Sequence, residues 1–261
     1  MKTLYLDHQQ SLPDDLFDQT ELQVLSIGAN QLSTLPDDIG NLRKLRQLYI
    51  HDNHLETIPD SIGNLTHLEI LDLGHNRLLS LPDSLGKLVS LQFLYISDNQ
   101  LTSYPQPLAT LHNLRYLGLT DNQLSEIDSS IGALKNLVEL RLYNNQLSIL
   151  PDAIGTLSAL RELHLMNNPI THLPESIGDL SELRILSCRN NSLTQLPESI
   201  GNLSKLTQLD LRANDLKSLP DSLYELPKLE KLDLRWNRGM QLSAGLGDLE
   251  ARGCLVYYPL V

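Results

Sequence analysis

The dominant signal along the chain is a spacing of aliphatic residues. Each unit runs Leu-x-x-Leu-x-Leu-x-x-Asn-x-Leu-x-x-Leu-Pro-x-x-Ile-Gly-x-Leu, as in Leu68, Leu71, Leu73, Asn76, Leu78, Leu81, Pro82, Leu85, Gly86 and Leu88. The asparagines are Asn30, Asn53, Asn76, Asn99, Asn122, Asn145, Asn168, Asn191, Asn214 and Asn237, and every interval is 23 residues. The alternation in Leu25-Ser26-Ile27 predicts a half-buried strand. The Leu-Pro-Asp-x-Ile-Gly segment predicts a short helix or turn with glycine as its stop. Leu22, Leu25, Ile27, Leu32, Leu35, Ile39 and Leu42 are expected to point inward. One 23-residue loop cannot bury that set alone, but stacked copies can.

Each asparagine falls where the chain leaves its strand. Its amide carries donors and an acceptor, so it can satisfy turn groups that water cannot reach. This predicts a structural ladder of ten asparagines. The ends are expected to stay in frame, with Asp7, Leu12, Pro13 and Leu16 aligned on Asn30, Leu35, Pro36 and Ile39. Leu4 and Leu6 then lie in a first strand. Leu255 and Tyr257 align with Leu232 and Leu234 in a last strand, and residues 244–252 read as a capping helix. Departures from the frame are Tyr104-Pro105-Gln106-Pro107, Ala109, Asp128, Cys188 and Tyr224.

With these residues the chain resembles the leucine-rich repeat family in its 23-residue intracellular form, of the Leu-Pro-x-x-Ile-Gly type seen in bacterial and Ras-group proteins. The resemblance implies an α/β solenoid: a right-handed, curved superhelix. It would have a concave parallel β-sheet of about twelve strands and short helical or turn segments on the convex side. A single domain is expected over 1–261. Residues 1–21 form a degenerate half-repeat, 22–251 the ten repeats and 252–261 a C-terminal capping strand.

Function should sit where the frame is free to vary, on the outward strand positions. Read every 23 residues, these form rows whose neighbours lie about 4.8 Å apart. Ile70, Phe93 and Tyr116 fall in one row, with Tyr95 beside them and Tyr49 and Tyr143 flanking. A contiguous exposed apolar patch is informative in a way that one exposed residue is not, and Tyr and Arg are enriched in binding hot spots. The rows up to residue 122 carry Asp52, Asp72, Asp98 and Asp121 and no Lys or Arg. The later rows carry Arg189, Arg212 and Arg235 as a ladder, which either Asp210 and Asp233 neutralise or an anionic partner segment engages.

Composition narrows the function. Of 261 residues 62 are leucine, so one packing solution is used repeatedly. The net charge of −12 disfavours nucleic acid. No apolar stretch is long enough to span a membrane, and the start lacks a signal-peptide core. Two cysteines, Cys188 and Cys254, without cysteine-rich caps point to a reducing compartment, the cytoplasm. There is no phosphate-binding glycine loop and no persuasive nucleophile triad. His51, His54 and His75 fall near Asp52, Asp72 and Asp98, but ladder side chains should stand parallel rather than converge, so neither metal nor cofactor is expected. The sequence therefore reads as a monomeric, non-catalytic module for signalling or scaffolding. It would bind a protein or peptide on its concave face, through the aromatic patch, Asp72, Asp98, Asp121 and the arginines. The alternative is the substrate-recognition repeat domain of a larger kinase, GTPase or ubiquitin ligase.

Overall fold

The computed structural model describes residues 2–9 and 11–259. Twelve three-residue strands follow one another in chain order. The chain divides into two compact units, residues 1–123 and 124–261. In the first, β1 (Thr3–Tyr5), β2 (Val24–Ser26), β3 (Gln47–Tyr49), β4 (Ile70–Asp72), β5 (Phe93–Tyr95) and β6 (Tyr116–Gly118) pair in parallel, each with the next. In the second, β7 (Glu139–Arg141), β8 (Glu162–His164), β9 (Ile185–Ser187), β10 (Gln208–Asp210), β11 (Lys231–Asp233) and β12 (Leu255–Tyr257) do the same. The middle residue of every strand from β2 to β12 is buried.

Strands this short supply few ladder bonds; backbone bonds continue past them, as from the Asp98 amide to the Thr120 carbonyl at 2.9 Å, and the asparagine side chains add more. The Asn122 Nδ2 donates to the carbonyls of Ile96, Leu119 and Thr120, at 3.0, 3.2 and 3.1 Å. Its Oδ1 accepts from the Leu101 amide at 3.0 Å. One side chain thus serves its own repeat and the one before it. The same pattern recurs at Asn53, Asn76, Asn99, Asn168, Asn191, Asn214 and Asn237. Immediately before each asparagine the chain passes through the left-handed region. Ala29, Asp52, His75, Asp98, Asp121, Asn144, Asn167, Asn190, Ala213 and Trp236 all have φ between 52° and 64°.

The return segments are 3-10 turns such as Asp60–Asn64 and Glu175–Asp179, entered from an extended proline. In the fifth repeat Asp128 stands in the proline place and accepts from the Ser130 amide at 2.7 Å, replacing proline's preset φ with a side-chain cap. The glycines do not act as stops: they lie inside the turns and only Gly239 and Gly253 have positive φ. What they provide is close approach between repeats. A Cβ on Gly178 would lie 2.4 Å from the Ser199 carbonyl oxygen, and one on Gly155 would lie 2.3 Å from that of Ser176.

Both ends depart from the 23-residue register. The first strand pairs at an offset of 21, Leu4 opposite Leu25, so Gln9 rather than Asp7 takes the ladder place and its amide donates to Asn30 Oδ1 at 2.6 Å. The shortfall lies in the abbreviated return before Leu16, which is fully buried like Ile39. At the other end Leu232 pairs with Val256 rather than Leu255, because the last return holds one extra residue. A one-residue slip exchanges the faces: Val256 is buried and Leu255 is 53% exposed. That return contains helix α1 (Gly245–Ala251), which buries Leu246 and Leu249. Tyr224 occupies the glycine place of the ninth repeat because α1, not another turn, lies over it: its ring faces Gly245 and its carbonyl accepts from Arg252. Leu260 and Val261 of the expected capping segment lie outside the described residues.

Two measurements check these roles. Asn122→Ala strands buried backbone groups and should cost at least about 1–3 kcal/mol in chemical denaturation. Gly178→Ala should cost roughly 1–3 kcal/mol through overpacking. Gly247→Ala, in α1 with nothing within 4 Å of its Cβ, should instead gain up to about 1 kcal/mol of helix propensity. Equal effects of the two glycine substitutions would refute the close-approach argument.

Candidate functional site on the open sheet face

The first and last residue of each three-residue strand point away from the core, because side chains alternate across a sheet. In the first unit this face carries the expected aromatic row. Register places Ile70 beside Phe93 and Phe93 beside Tyr116, and all three are half-buried, as are Tyr49 and Tyr95. The closest aromatic contact is diagonal: the Tyr95 and Tyr116 ring centroids are 4.6 Å apart with planes tilted by 33°. Gly118 makes this possible. A Cβ there would lie 3.0 Å from the Tyr116 hydroxyl oxygen, so the ring reclines along its own strand towards Tyr95.

The aspartates of this unit have partners that the row alignment did not reveal. Asp72 accepts from the Gly74 amide at 3.0 Å, and burial holds its carboxyl above the usual carboxylate range. Asp98 lies 2.7 Å from His75 Nδ1, and Asp52 lies 2.8 Å from His51 Nδ1. Asp52, Asp98 and Asp121 all occupy left-handed positions, a conformation that Asn and Asp tolerate best among residues with a side chain. Part of the acidity of this face therefore has a backbone cause.

In the second unit Tyr143 is half-buried just beyond β7. Arg212 pairs with Asp210 through two bonds of 2.9 and 2.6 Å, and Arg235 pairs with Asp233 through bonds of 2.9 and 2.7 Å. The same two carboxylates accept from the Arg212 and Arg235 amides. Arg235 also lies over the rings of Tyr257 and Trp236, at 4.8 and 5.5 Å. Arg189 is exposed, and among the described residues no ion pair holds it. The arginine ladder is thus neutralised at two of its three rungs. Cys188 and Cys254 are free and buried, and burial raises both thiols.

The expectation that ladder side chains stay parallel fails at one place. Glu139, Glu162 and His164 each bring a ligand atom within 4.8 Å of the other two. Glutamates on adjacent strands are long enough to lean together, which a row alignment does not reveal. Among the described residues no helix is long and apolar enough to cross a membrane.

A family model described as leucine-rich repeat region matches residues 37–108, 101–188 and 170–252, and one described as leucine rich repeat matches 1–55. The chain belongs to the leucine-rich repeat family. Repeats of this family are typically non-catalytic interaction surfaces, and the fold is an α/β solenoid. No curated protein gives a significant match. Among solved structures, the plant peptide hormone receptor RGFR1 in complex with RGF2 is 30% identical, with a TM-score of 0.77 over 99% of this chain and 47% of the receptor. A TDR receptor is 28% identical, TM-score 0.71, over 91% of this chain and 47% of its own. The complex of TLR13 with ssRNA13 is 28% identical, TM-score 0.73, over 83% and 33%. The repeat chain thus spans less than half the length of these three proteins.

His75 offers a direct check of the site's electrostatics. Its hydrogen bond to Asp98 raises its pKa. The protonated form is therefore favoured by folding: the stabilisation is complete below the unfolded pKa of about 6.5 and is lost as pH rises through the folded value. Both side chains are exposed, so the effect on stability stays under about 1 kcal/mol. An NMR titration should place the His75 imidazole above about 6.5, and Asp98→Asn should lower it. An unmoved titration in Asp98→Asn would show that the pair does not persist in solution.

Proposed function

We propose that the protein is a non-catalytic, monomeric interaction module of the cytoplasm that binds a protein or peptide on the open sheet face of its first unit. The observation that carries this reading is the contiguous Ile70–Phe93–Tyr116 row with Tyr95 folded against it, half-exposed on strands fixed by the repeat. Large aromatic side chains on a rigid surface supply contact area at little entropic cost. The peptide hormone receptor RGFR1, solved in complex with RGF2, lends support at the level of the fold.

The ligand this surface fits has an apolar anchor for Phe93 and Tyr116 and a Lys or Arg placed towards Asp72, Asp98 and Asp121. Truncating the anchor should shorten residence time, at a typical cost of about 2 kcal/mol or more. Neutralising an exposed aspartate should mainly slow association and flatten its salt dependence, because such charges are screened over about 8 Å. The experiment isolates the partner from the native source by affinity capture, then measures its kinetics on Tyr116→Ala, Asp98→Asn and Arg212→Ala. Slower association of Asp98→Asn and faster dissociation of Tyr116→Ala, with Arg212→Ala unchanged, is the expected result. Weakening by Arg212→Ala alone would move the site to the second unit.

A further inference from the structure

The strands β7 and β8 set two carboxylates side by side, since Glu139 and Glu162 are register partners, as are Arg141 and His164 one step along. Like charges directly opposite one another destabilise a strand pair. Here they are held by one base each: Arg141 Nε donates to Glu139 Oε1 at 2.5 Å, and His164 Nε2 lies 3.2 Å from Glu162 Oε2. All four residues are half-buried, and ligand atoms of Glu139, Glu162 and His164 already lie within 4.8 Å of one another.

We propose that Glu139, Glu162 and His164 form a binding site for a divalent first-row transition metal ion, with zinc the best chemical match. The inference does not rest on the partner-binding reading, whose residues lie in the first unit. One imidazole nitrogen and two carboxylate oxygens form a three-ligand set that leaves a fourth tetrahedral position for water. The imidazole disfavours calcium and magnesium, which prefer all-oxygen shells. Bonds of about 2.0 Å put tetrahedral ligand atoms about 3.3 Å apart. The widest gap therefore closes by about 1.5 Å, within reach of rotation about the glutamate side-chain bonds. The ion replaces repulsion between paired carboxylates with attraction to a shared dication. His164 also lines a hollow of about 250 Å³ with Ile185, Ser187, Gln208, Asp210 and Lys231, so one side of the imidazole is open to solvent. Arg141 is the built-in competitor, because it occupies a glutamate oxygen that the ion needs.

That competition gives the test its direction. Zinc chloride is titrated into the intact chain by calorimetry, with magnesium chloride as the comparison and cobalt(II) absorption as the coordination signature. One zinc ion per chain should bind, with no comparable magnesium heat. His164→Ala and Glu139→Gln should each weaken zinc binding at least about tenfold. Arg141→Ala should tighten it, and His172→Ala, an exposed histidine elsewhere, should leave it unchanged. These are surface substitutions, and the unchanged melting transition of each variant without metal separates loss of the site from loss of the fold. Zinc affinity that is undetectable in the wild type, or indifferent to His164→Ala, overturns the proposal.

Discussion

The constraint on which the molecule depends is that no repeat can satisfy its own backbone. A three-residue strand that turns immediately inward leaves carbonyls and amides buried at the turn, and a buried unpaired group costs about 1–3 kcal/mol. The asparagine amide reaches the carbonyls 26 and 3 residues earlier and an amide 21 residues earlier. To point that amide inward the preceding residue must be left-handed, and this requirement spreads to the surface. It selects Asp and Asn at the strand end and draws a polar margin along the sheet for reasons of backbone geometry. The remaining freedom lies in the strand positions themselves, where the aromatic row is found.

The same logic explains the ends. A repeat stack exposes its core wherever the next copy is missing, so the last layer must be made of something other than a repeat. At the C-terminus Tyr224 gives α1 a ring to lie on where a glycine would have admitted another turn. At the N-terminus Asp7 Oδ1 accepts from both the Ser26 hydroxyl at the end of β2 and the Gly28 amide just beyond it, each at 2.6 Å. Both stretches depart from the 23-residue offset, pairing Leu4 with Leu25 and Leu232 with Val256.

This is why the interior was legible in the sequence and the ends were not. Strand positions, inward leucines and the row alignment follow from a period that never slips between Asn30 and Asn237, whereas the capping helix lies beyond it. The two terminal registers, offsets of 21 and 24, could not be read by extending that period. A signal was present in the short run between Gln9 and Leu16, which lacks room for a full return. The glycines were visible but their cause was not: close approach to a serine one repeat on is a contact between turns, invisible to local propensity. Glu139, Glu162 and His164 stand on outward strand positions that the repeat places, yet their convergence depends on how long side chains lean, which alternation alone does not specify.

Charge pairing decides what the two units can offer a ligand. Just beyond β10 and β11 the Arg212 and Arg235 side chains are already bonded twice to carboxylates, and the Asp233 side chain is 1% exposed. A partner covering them would gain little charge attraction beyond what those pairs make internally, while still paying to strip water from them. On β4 to β6 the outward row of Ile70, Phe93 and Tyr116 is hydrocarbon and phenol, whose burial is favourable because it removes apolar surface from water. The aspartates near it sit at the rim, where fields steer an approaching cation but solvent limits what contact is worth. A surface built this way draws affinity from its aromatic centre and rate from its acidic margin. The repeat frame fixes both at once, because the residue that leaves the strand must be left-handed and the residue within it need only fit the sheet.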